Sequence, residues 1–195
     1  MAKVSSVCVF CGSSFGHDHR HRDDAVRLGQ ALAEHGLTLI YGGGGIGLMG
    51  ALAQASLAAG GEVIGILPSF LARQEKGLKA LTRLEIVDSM HVRKERMFAL
   101  ADAFLVLPGG LGTLDETFEV LTWKQLGLHQ KPIVLVDLRG YWRPLRGLIA
   151  HLVEEGFAPA RAEQFLRVVP SIEEALASLK KLARAESTPA ADERL

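Results

Sequence analysis

Residues 103–116 read AFLVLPGGLGTLDE, an apolar run that leads into glycines and then into a segment rich in helix formers. The run shows no alternation of polar and apolar residues, which is typical of a strand buried on both faces of a parallel sheet. Pro108 and the glycines end this strand, and the apolar spacing beyond them predicts a helix over 113–126. The stretch therefore predicts one strand–loop–helix unit of an α/β protein, with its glycine loop at the carboxyl end of the strand.

The same alternation of apolar runs and helical segments extends in both directions from this unit. Strands are predicted at 7–10, 37–41, 62–67, 83–87, 103–107 and 133–136, and helices at 24–35, 47–59, 89–101, 113–126, 142–155 and 172–182. This order predicts a doubly wound parallel sheet in three αβα layers, folded as a single domain over residues 1–183. The apolar periodicity is lost from Arg184 onwards, so residues 184–195 are expected to form a disordered tail.

The composition narrows the classes of partner. The 195 residues include 22 Lys+Arg and 22 Asp+Glu, a net charge of zero, which argues against nucleic acid or a membrane surface as a partner and leaves only a local basic patch open. The apolar stretch Val4–Phe10 is too short for a signal peptide and a turn follows it, so a cytoplasmic location is expected. Cys8 and Cys11 have CxxC spacing, but strand positions three apart point to opposite faces. A buried cysteine within the strand and a second cysteine at the strand end are therefore expected rather than a redox pair or a zinc site.

A first glycine loop, GIGLMG at residues 45–50, matches the GxGxxG pattern between a predicted strand and a predicted helix. Glycines here let the backbone approach a phosphate, and the helix amino terminus adds free N–H groups and a partial positive charge. A dinucleotide site would require an acidic residue at the end of the next strand, where residues 65–68 read GILP. The loop thus predicts a phosphate cradle and argues against NAD. Close strand–helix packing through small residues is the alternative, and both roles are compatible.

The second glycine loop, PGGLGT at residues 108–113, ends in Thr113, which is predicted as the N-cap of the following helix. Glu116 follows three residues further on. This is capping-box spacing, in which the glutamate side chain bonds back to the N-cap amide. A carboxylate at the ligand end of a parallel sheet would also suit contact with a sugar. Spacing alone favours the capping role for Glu116.

Arg93 is predicted to share a helical face with Met90 and Met97. A guanidinium on an otherwise apolar stripe requires a carboxylate or phosphate partner. Three interpretations remain open from the spacing: a structural salt bridge, an arginine whose stem packs while its head reaches water, or a ligand contact.

The segment 108–116 has the form PGGxGTxxE, which resembles the signature of the LONELY GUY (LOG) family of cytokinin riboside 5′-monophosphate phosphoribohydrolases. The resemblance extends over residues 7–182. It includes VCVFCGSS at 7–14, YGGGGIGLMG at 41–50, MHVRK at 90–94 and TWKQLG at 122–127. Together these segments are highly specific, whereas GxGxxG alone is a weak signal.

The resemblance implies a Rossmann-like fold, a homodimer, and hydrolysis of the N-glycosidic bond of adenosine 5′-monophosphate (AMP) or an N6-modified form, releasing the free base and ribose 5-phosphate. It implies no metal and no organic cofactor. Arg93 and Glu116 match the family's catalytic pair. Nucleotide or phosphate contacts are implied for Glu75, Lys94, Gly109, Gly110, Leu111, Gly112, Thr113, Leu114, Asp115 and Thr122, and we assign Ser14, Gly44, Gly45, Gly47 and Met49 to the same role. Leu111 and Asp115 depart from residues that other members carry, which bears on substrate preference.

Cleavage of an N-glycosidic bond builds positive charge on the ribose and negative charge on the departing base. Glu116 is expected to stabilise the cation and to orient or activate water, as glycosidase carboxylates do. Arg93 is expected to stabilise either the phosphate or the base. Two alternatives belong to other classes: a carrier that binds a phosphate-bearing ligand without cleaving it, and a nicotinamide-dependent oxidoreductase.

Two further segments carry weaker signals. Residues His17–Asp24 include side chains of the types that ligate metals, but they are expected to form the solvated start of a surface helix. Tyr141 and Trp142 are expected to serve in packing or in a subunit contact.

Overall fold

The computed structural model of the chain describes residues 4–72 and 81–185, with side chains described up to Leu179. Within these ranges the strands are β1 (Ser6–Phe10), β2 (Thr38–Tyr41), β3 (Val63–Pro68), β4 (Arg83–Val87), β5 (Ala103–Val106), β6 (Ile133–Val136) and β7 (Arg167–Val169). The helices are α1 (Arg20–Glu34), α2 (Gly47–Ala58), α3 (Ser69–Ala72), α4 (Met90–Leu100), α5 (Leu111–Gln125), α6 (Arg143–Glu154) and α7 (Ile172–Ala185). Two short 3-10 helices, Leu138–Gly140 and Ala160–Phe165, flank α6.

The strands form one parallel sheet in the order β4-β3-β2-β1-β5-β6-β7. Its register places Val7 of β1 beside Leu39 of β2 on one side and Ala103 of β5 on the other. The chain winds outward from β1 to β4, returns to β5 beside β1, and winds outward again to β7. The winding direction therefore reverses between β1 and β5, and ligands of open α/β sheets bind beyond the carboxyl ends of the strands at such a point. The predicted doubly wound α/β sheet is confirmed.

Alternate residues of each central strand supply two separate cores, because successive side chains on a strand point to opposite faces. Val7 and Val9 pack with α1, α2 and α7, whereas Cys8 and Phe10 pack with α4, α5 and α6. These two cores, one on each face of the sheet, give the three predicted layers. Cys8 and Cys11 are free and buried, and they lie on opposite faces of the sheet, as their spacing predicts.

Several boundaries differ from the predicted ones. Helix α5 begins at Leu111, two residues before the predicted start, because Gly110 takes the N-cap position. Helix α1 begins at Arg20 rather than at residue 24. Helix α3 and strand β7 are unpredicted, since four and three residues are too few to establish a periodic pattern.

Helix α7 extends to Ala185, across the predicted tail boundary at residue 184, and residues 186–195 lie outside the described part of the chain. None of the helices in the described ranges is both long enough and apolar enough to cross a membrane.

Candidate active site

The loops that follow β1 and β5 meet at the point where the winding of the sheet reverses. The amide of Gly12 donates a hydrogen bond to the carbonyl of Pro108 at 3.1 Å. A β-carbon on Gly12 would lie 3.4 Å from the α-carbon of Gly109 and 3.1 Å from the carbonyl oxygen of Ser14. The two loops thus form one continuous floor, and glycine at position 12 lets them approach this closely.

The first glycine loop packs against this floor through the amino terminus of α2. The amides of Leu48 and Met49 both donate to the carbonyl of Gly12, at 3.1 and 3.3 Å. Gly47 has a φ of +61°, and a β-carbon there would lie 2.2 Å from the carbonyl carbon of Ser13. The expectation of free N–H groups on this helix is therefore wrong for Leu48 and Met49, whereas the alternative of close packing through small residues is confirmed.

The amino terminus of α5, by contrast, has free donors. In residues 4–72 and 81–185, no acceptor bonds the backbone amides of Gly110, Leu111, Gly112 or Thr113, and the first bonded amide is that of Leu114, which donates to Gly110. Gly110 and Gly112 are exposed, and a β-carbon at either would meet nothing within 4 Å. The free amides and the positive end of the helix dipole therefore make this turn the better anion site of the two glycine loops.

The capping-box prediction for Thr113 and Glu116 is wrong. Thr113 lies inside the first turn of α5, and Gly110 at the N-cap offers no side-chain acceptor. The Thr113 hydroxyl instead lies against Gly109, since a β-carbon on Gly109 would be only 2.0 Å from it. The backbone carbonyl of Thr113 accepts a hydrogen bond from the Thr117 hydroxyl at 2.6 Å. Because α5 starts two residues early, the Glu116 side chain is free to point into the protein.

Glu116 and Arg93 form a buried ion pair between α5 and α4. Arg93 Nη1 lies 2.8 Å from Glu116 Oε1, and each side chain is 9% exposed. Arg93 Nε also donates to the carbonyl of Ile66 at 3.2 Å. A β-carbon on Gly42 would lie 1.8 Å from Arg93 Nη2, so glycine at the end of β2 makes room for the guanidinium. The carboxylate partner expected for Arg93 is thus Glu116 itself.

Burial raises the pKa of Glu116 above its ordinary value, while the Arg93 guanidinium acts in the opposite direction. A buried carboxylate is costly unless it is paired, so Arg93 stabilises the ionised form. Burial also raises the pKa of the Cys8 and Cys11 thiols, and the Glu116 charge adds to both shifts. Both cysteines are therefore neutral thiols beneath the site, and neither is an activated nucleophile.

Lys94, next to Arg93 on α4, bridges two carboxylates of α5. Its Nζ lies 3.1 Å from Asp115 Oδ2 and 3.1 Å from Glu119 Oε1. A small void of about 10 Å³ beside these residues is lined by Phe10, Lys94, Met97, Phe98, Glu116, Glu119 and Val120. A larger recess of about 430 Å³ lies elsewhere, between α6, the 3-10 helix at 160–165 and β7. The larger recess shares no residue with the glycine loops, so we do not regard it as the site of chemistry.

The structure thus brings together most of the residues assigned from the sequence. The pairs Arg93–Glu116 and Lys94–Asp115 join α4 to α5, and the two glycine loops meet at Gly12. Leu111 is 86% exposed at the start of α5, and Thr122 is exposed further along the same helix. Glu75 lies outside the described residues.

Two groups next to the site were assigned other roles from the sequence. The Tyr141 hydroxyl donates to the carbonyl of Gly109 at 2.7 Å. Asp24, expected on a solvated face, is instead 6% exposed and paired with Arg139. No sequence signal links Tyr141 to Gly109 or Asp24 to Arg139, because each pair is more than thirty residues apart and meets only through the order of the strands. In the ranges described, no three His, Cys, Asp or Glu side chains are grouped so as to hold a metal ion.

Comparison with known sequences gives concordant matches along nearly the whole chain. A family model described as "Possible lysine decarboxylase" matches residues 49–179. A cytokinin riboside 5′-monophosphate phosphoribohydrolase of Rhodococcoides fascians is 46% identical over 176 residues, which cover 90% of this chain and 89% of that protein. An enzyme of the same name from Arabidopsis thaliana is 42% identical over 179 residues, covering 92% of this chain and 84% of the relative.

Solved structures extend the likeness to more distant proteins. A molybdenum cofactor binding protein from Rippkaea orientalis has a TM-score of 0.70 and 23% identity, covering 93% of this chain and 98% of that one. The molybdenum cofactor carrier protein of Chlamydomonas reinhardtii has a TM-score of 0.68 and 20% identity, covering 94% of this chain and 99% of that one. At these identities the likeness shows a shared fold and nothing about ligands.

Proposed function

Since this chain belongs to the LONELY GUY family of cytokinin riboside 5′-monophosphate phosphoribohydrolases, we propose that it hydrolyses the N-glycosidic bond of AMP or an N6-modified AMP. The products are the free base and ribose 5-phosphate. The observation that carries the proposal is the buried Arg93–Glu116 ion pair beside the free amino terminus of α5. A carboxylate of low exposure beside an anion site is suited to act on the sugar of a nucleotide that is anchored by its phosphate.

Glu116 is the residue that acts on the ribose. As the bond from C1′ to the base nitrogen breaks, its electron pair leaves with the base and positive charge develops on the ribose ring. The ionised Glu116 stabilises that charge and orients a water molecule, which adds to C1′, keeps one proton in the new hydroxyl group and gives up the other, while the departing base nitrogen gains one proton. The low exposure of the carboxylate strengthens this electrostatic effect, because little water screens it.

Arg93 holds Glu116 ready for this step. Two of its donor nitrogens are engaged, Nη1 with Glu116 and Nε with the carbonyl of Ile66, so the guanidinium is fixed in orientation. Its positive charge favours the ionised carboxylate that burial alone would disfavour. Its Nη2 faces Gly42 and leaves donor capacity for a substrate oxygen or nitrogen.

The phosphate is bound at the amino terminus of α5, where the amides of Gly110 to Thr113 have no acceptor in the described ranges. This anchor places C1′ of the ribose near Glu116 and makes the reaction depend on the 5′-phosphate. The further nucleotide contacts we propose are Ser14, Gly44, Gly45, Gly47, Met49, Glu75, Lys94, Gly109, Leu114, Asp115 and Thr122.

Other classes of function have less support. A carrier of a phosphate-bearing ligand would use the same loops, but it has no need of a buried ion pair beside them. Lysine decarboxylation, which the description of the matching family model names, is not supported by the lysines whose side chains the structure describes. Lys94 is held by two carboxylates, and Lys124 and Lys131 donate to backbone carbonyls.

The decisive experiment incubates the purified protein with AMP, N6-isopentenyl-AMP and adenosine and separates the products by chromatography. We expect free base and ribose 5-phosphate from the monophosphates and little product from adenosine. Glu116→Gln should fold normally and lose on the order of 100- to 10,000-fold in kcat, as removal of an acid–base group does. Glu154→Gln, the same change at an exposed position on α6, is the matched control and should retain full activity. Full turnover by Glu116→Gln would overturn the proposed role.

We propose further that the enzyme is a homodimer in the cytoplasm. The family resemblance supports a dimer, and exposed apolar side chains such as Ile86, Leu126 and Leu128 offer surface for it. The two unpaired cysteines are in keeping with a reducing compartment. Light scattering coupled to size-exclusion chromatography measures the mass of the assembly, and a monomer mass of about 21.0 kDa would exclude the dimer.

A further inference from the structure

Tyr141 makes the only side-chain hydrogen bond to the PGG loop (Pro108–Gly110) that the described ranges contain. Its hydroxyl donates to the carbonyl oxygen of Gly109 at 2.7 Å, although the ring comes from the loop after β6. The bond spans 32 residues of sequence. Tyr141 therefore ties the loop at the carboxyl end of β6 to the loop at the carboxyl end of β5.

The bonded carbonyl belongs to the peptide group between Gly109 and Gly110. A trans peptide is planar, and its C=O and N–H point in opposite directions. When Tyr141 holds the Gly109 carbonyl, the Gly110 amide is consequently directed away from Tyr141, as one of the free donors at the start of α5. Two adjacent glycines have wide conformational freedom, so this peptide group is the one most able to rotate in the loop.

The ring of Tyr141 is itself held from two sides. It packs edge-on against His21 at 5.5 Å and against Trp142 at 4.8 Å, measured between ring centroids. Arg139, two residues earlier, has a φ of +58° and donates to His21 Nδ1 at 3.1 Å while it pairs with the buried Asp24. The segment that carries Tyr141 is thus anchored to α1, and the hydroxyl is presented to the PGG loop in a fixed position.

We infer that Tyr141 is a positioning residue for the substrate phosphate: its hydroxyl fixes the Gly109–Gly110 peptide so that the Gly110 amide stays directed into the anion site. The inference rests on the proposed function for its substrate, but it concerns binding of the phosphate and not the cleavage step. Its loss should therefore weaken every ligand that carries the ribose phosphate, while the chemistry at Glu116 proceeds at its usual rate.

The test measures the affinity for ribose 5-phosphate by isothermal titration calorimetry, together with kcat and KM for AMP. Tyr141→Phe keeps the ring and removes only the hydroxyl. We expect its ribose 5-phosphate affinity to fall on the order of 10-fold, the worth of about one net hydrogen bond, and its KM for AMP to rise in parallel. Its kcat for AMP and its kcat/KM for adenosine should stay within about twofold of the wild-type values, and its melting temperature should stay within about one degree.

Thr82→Val is the matched control, because it removes a hydroxyl that accepts a hydrogen bond from the backbone amide of Val63 at 3.0 Å, outside the PGG loop. It should lower the melting temperature and leave the ribose 5-phosphate affinity unchanged. Unchanged affinity in Tyr141→Phe, or an equal loss in both variants, would overturn the inference. A wild-type protein that binds ribose 5-phosphate but does not cleave AMP would refute the proposed function, and the calorimetry would still decide the role of Tyr141. Absence of ribose 5-phosphate binding by the wild type would refute both.

Discussion

At the scale of single residues, Gly42 controls the placement of Arg93. Its backbone φ is unexceptional, so alanine fits the local conformation, but the new β-carbon would lie 1.8 Å from Arg93 Nη2. The Arg93 guanidinium is held by Glu116 and by the Ile66 carbonyl, so moving it aside weakens a buried ion pair and lowers stability. Gly42→Ala should therefore have a lower melting temperature and lose on the order of 100-fold in kcat for AMP per folded molecule, because displacements of about 1 Å in a catalytic group have effects of this size.

Gly147→Ala on α6 is the control for this change, since a β-carbon there meets nothing within 4 Å. It should leave kcat unchanged and match or slightly exceed the wild type in stability, by up to about 1 kcal/mol. Wild-type turnover by Gly42→Ala would show that Arg93 does not need its present position.

The residue scale also shows where sequence reasoning stops. The composition of the helix predicts that Arg93 needs an anionic partner, and this is confirmed. The identity of that partner depends on where α5 begins. Capping rules favour Thr113 as N-cap, but the exposed Gly110 takes that position. The free amides at the start of α5 are then available to a ligand. Capping propensities do not predict the start of this helix, because the start suits a binding site better than it suits the local capping preference.

At the scale of elements, helices α1 and α2 pack in close backbone contact at Gly29. A β-carbon on Gly29 would lie 2.3 Å from the backbone carbonyl of Leu52 and 3.0 Å from the Ser56 amide. Backbone atoms cannot swing aside, so the two helices would have to separate. Gly29→Ala should cost about 2 kcal/mol or more as an overpacked core, and lower the melting temperature by roughly 4–8 °C.

Helix α1 contributes none of the residues proposed to bind or cleave the substrate, so kcat per folded molecule of Gly29→Ala should equal the wild-type value. Thermal denaturation and AMP turnover, measured on the same preparation and beside Gly147→Ala, test both halves of the prediction. A variant as stable as the wild type would show that the helices tolerate separation at this point.

The elements that the sequence predicts are defined by local patterns of residues, whereas those it misses depend on contacts between distant parts of the chain. Apolar runs such as residues 103–107 show a buried parallel strand, and glycine-rich ends show the ligand side of the sheet, because both patterns are local. Strand β7 is three residues long with only Val169 buried, so it depends on pairing with β6. The contact of Tyr141 with Gly109 likewise depends on β5 and β6 being neighbours, which is known only once the sheet is assembled.

At the scale of the whole molecule, two histidines lie in surroundings that lower their pKa and so favour the neutral ring. His129 is buried, and its Nε2 lies 2.8 Å from the carbonyl of Val120 while Nδ1 accepts the Lys131 amide at 3.1 Å. Burial lowers its pKa below the ordinary value of 6.5. Burial, followed by the charge of Arg139, lowers the pKa of His21 in the same direction. Protonation of either ring would place a proton on the nitrogen that now accepts a hydrogen bond.

These shifts predict that the protein loses stability as the pH falls from about 7.5 to 5.5. A histidine with a lowered folded pKa binds fewer protons than in the unfolded chain, so its contribution is complete above its ordinary value of 6.5 and declines below it. Glu116 has a raised pKa, so it binds protons more readily in the folded chain and favours folding as the pH falls. Glu116→Gln removes this opposing contribution. Melting temperatures of Glu116→Gln should therefore fall on acidification. Adding His129→Gln, which keeps one donor and one acceptor but does not titrate, should flatten the decline. An unchanged slope in the double variant would show that acid destabilisation originates at other groups.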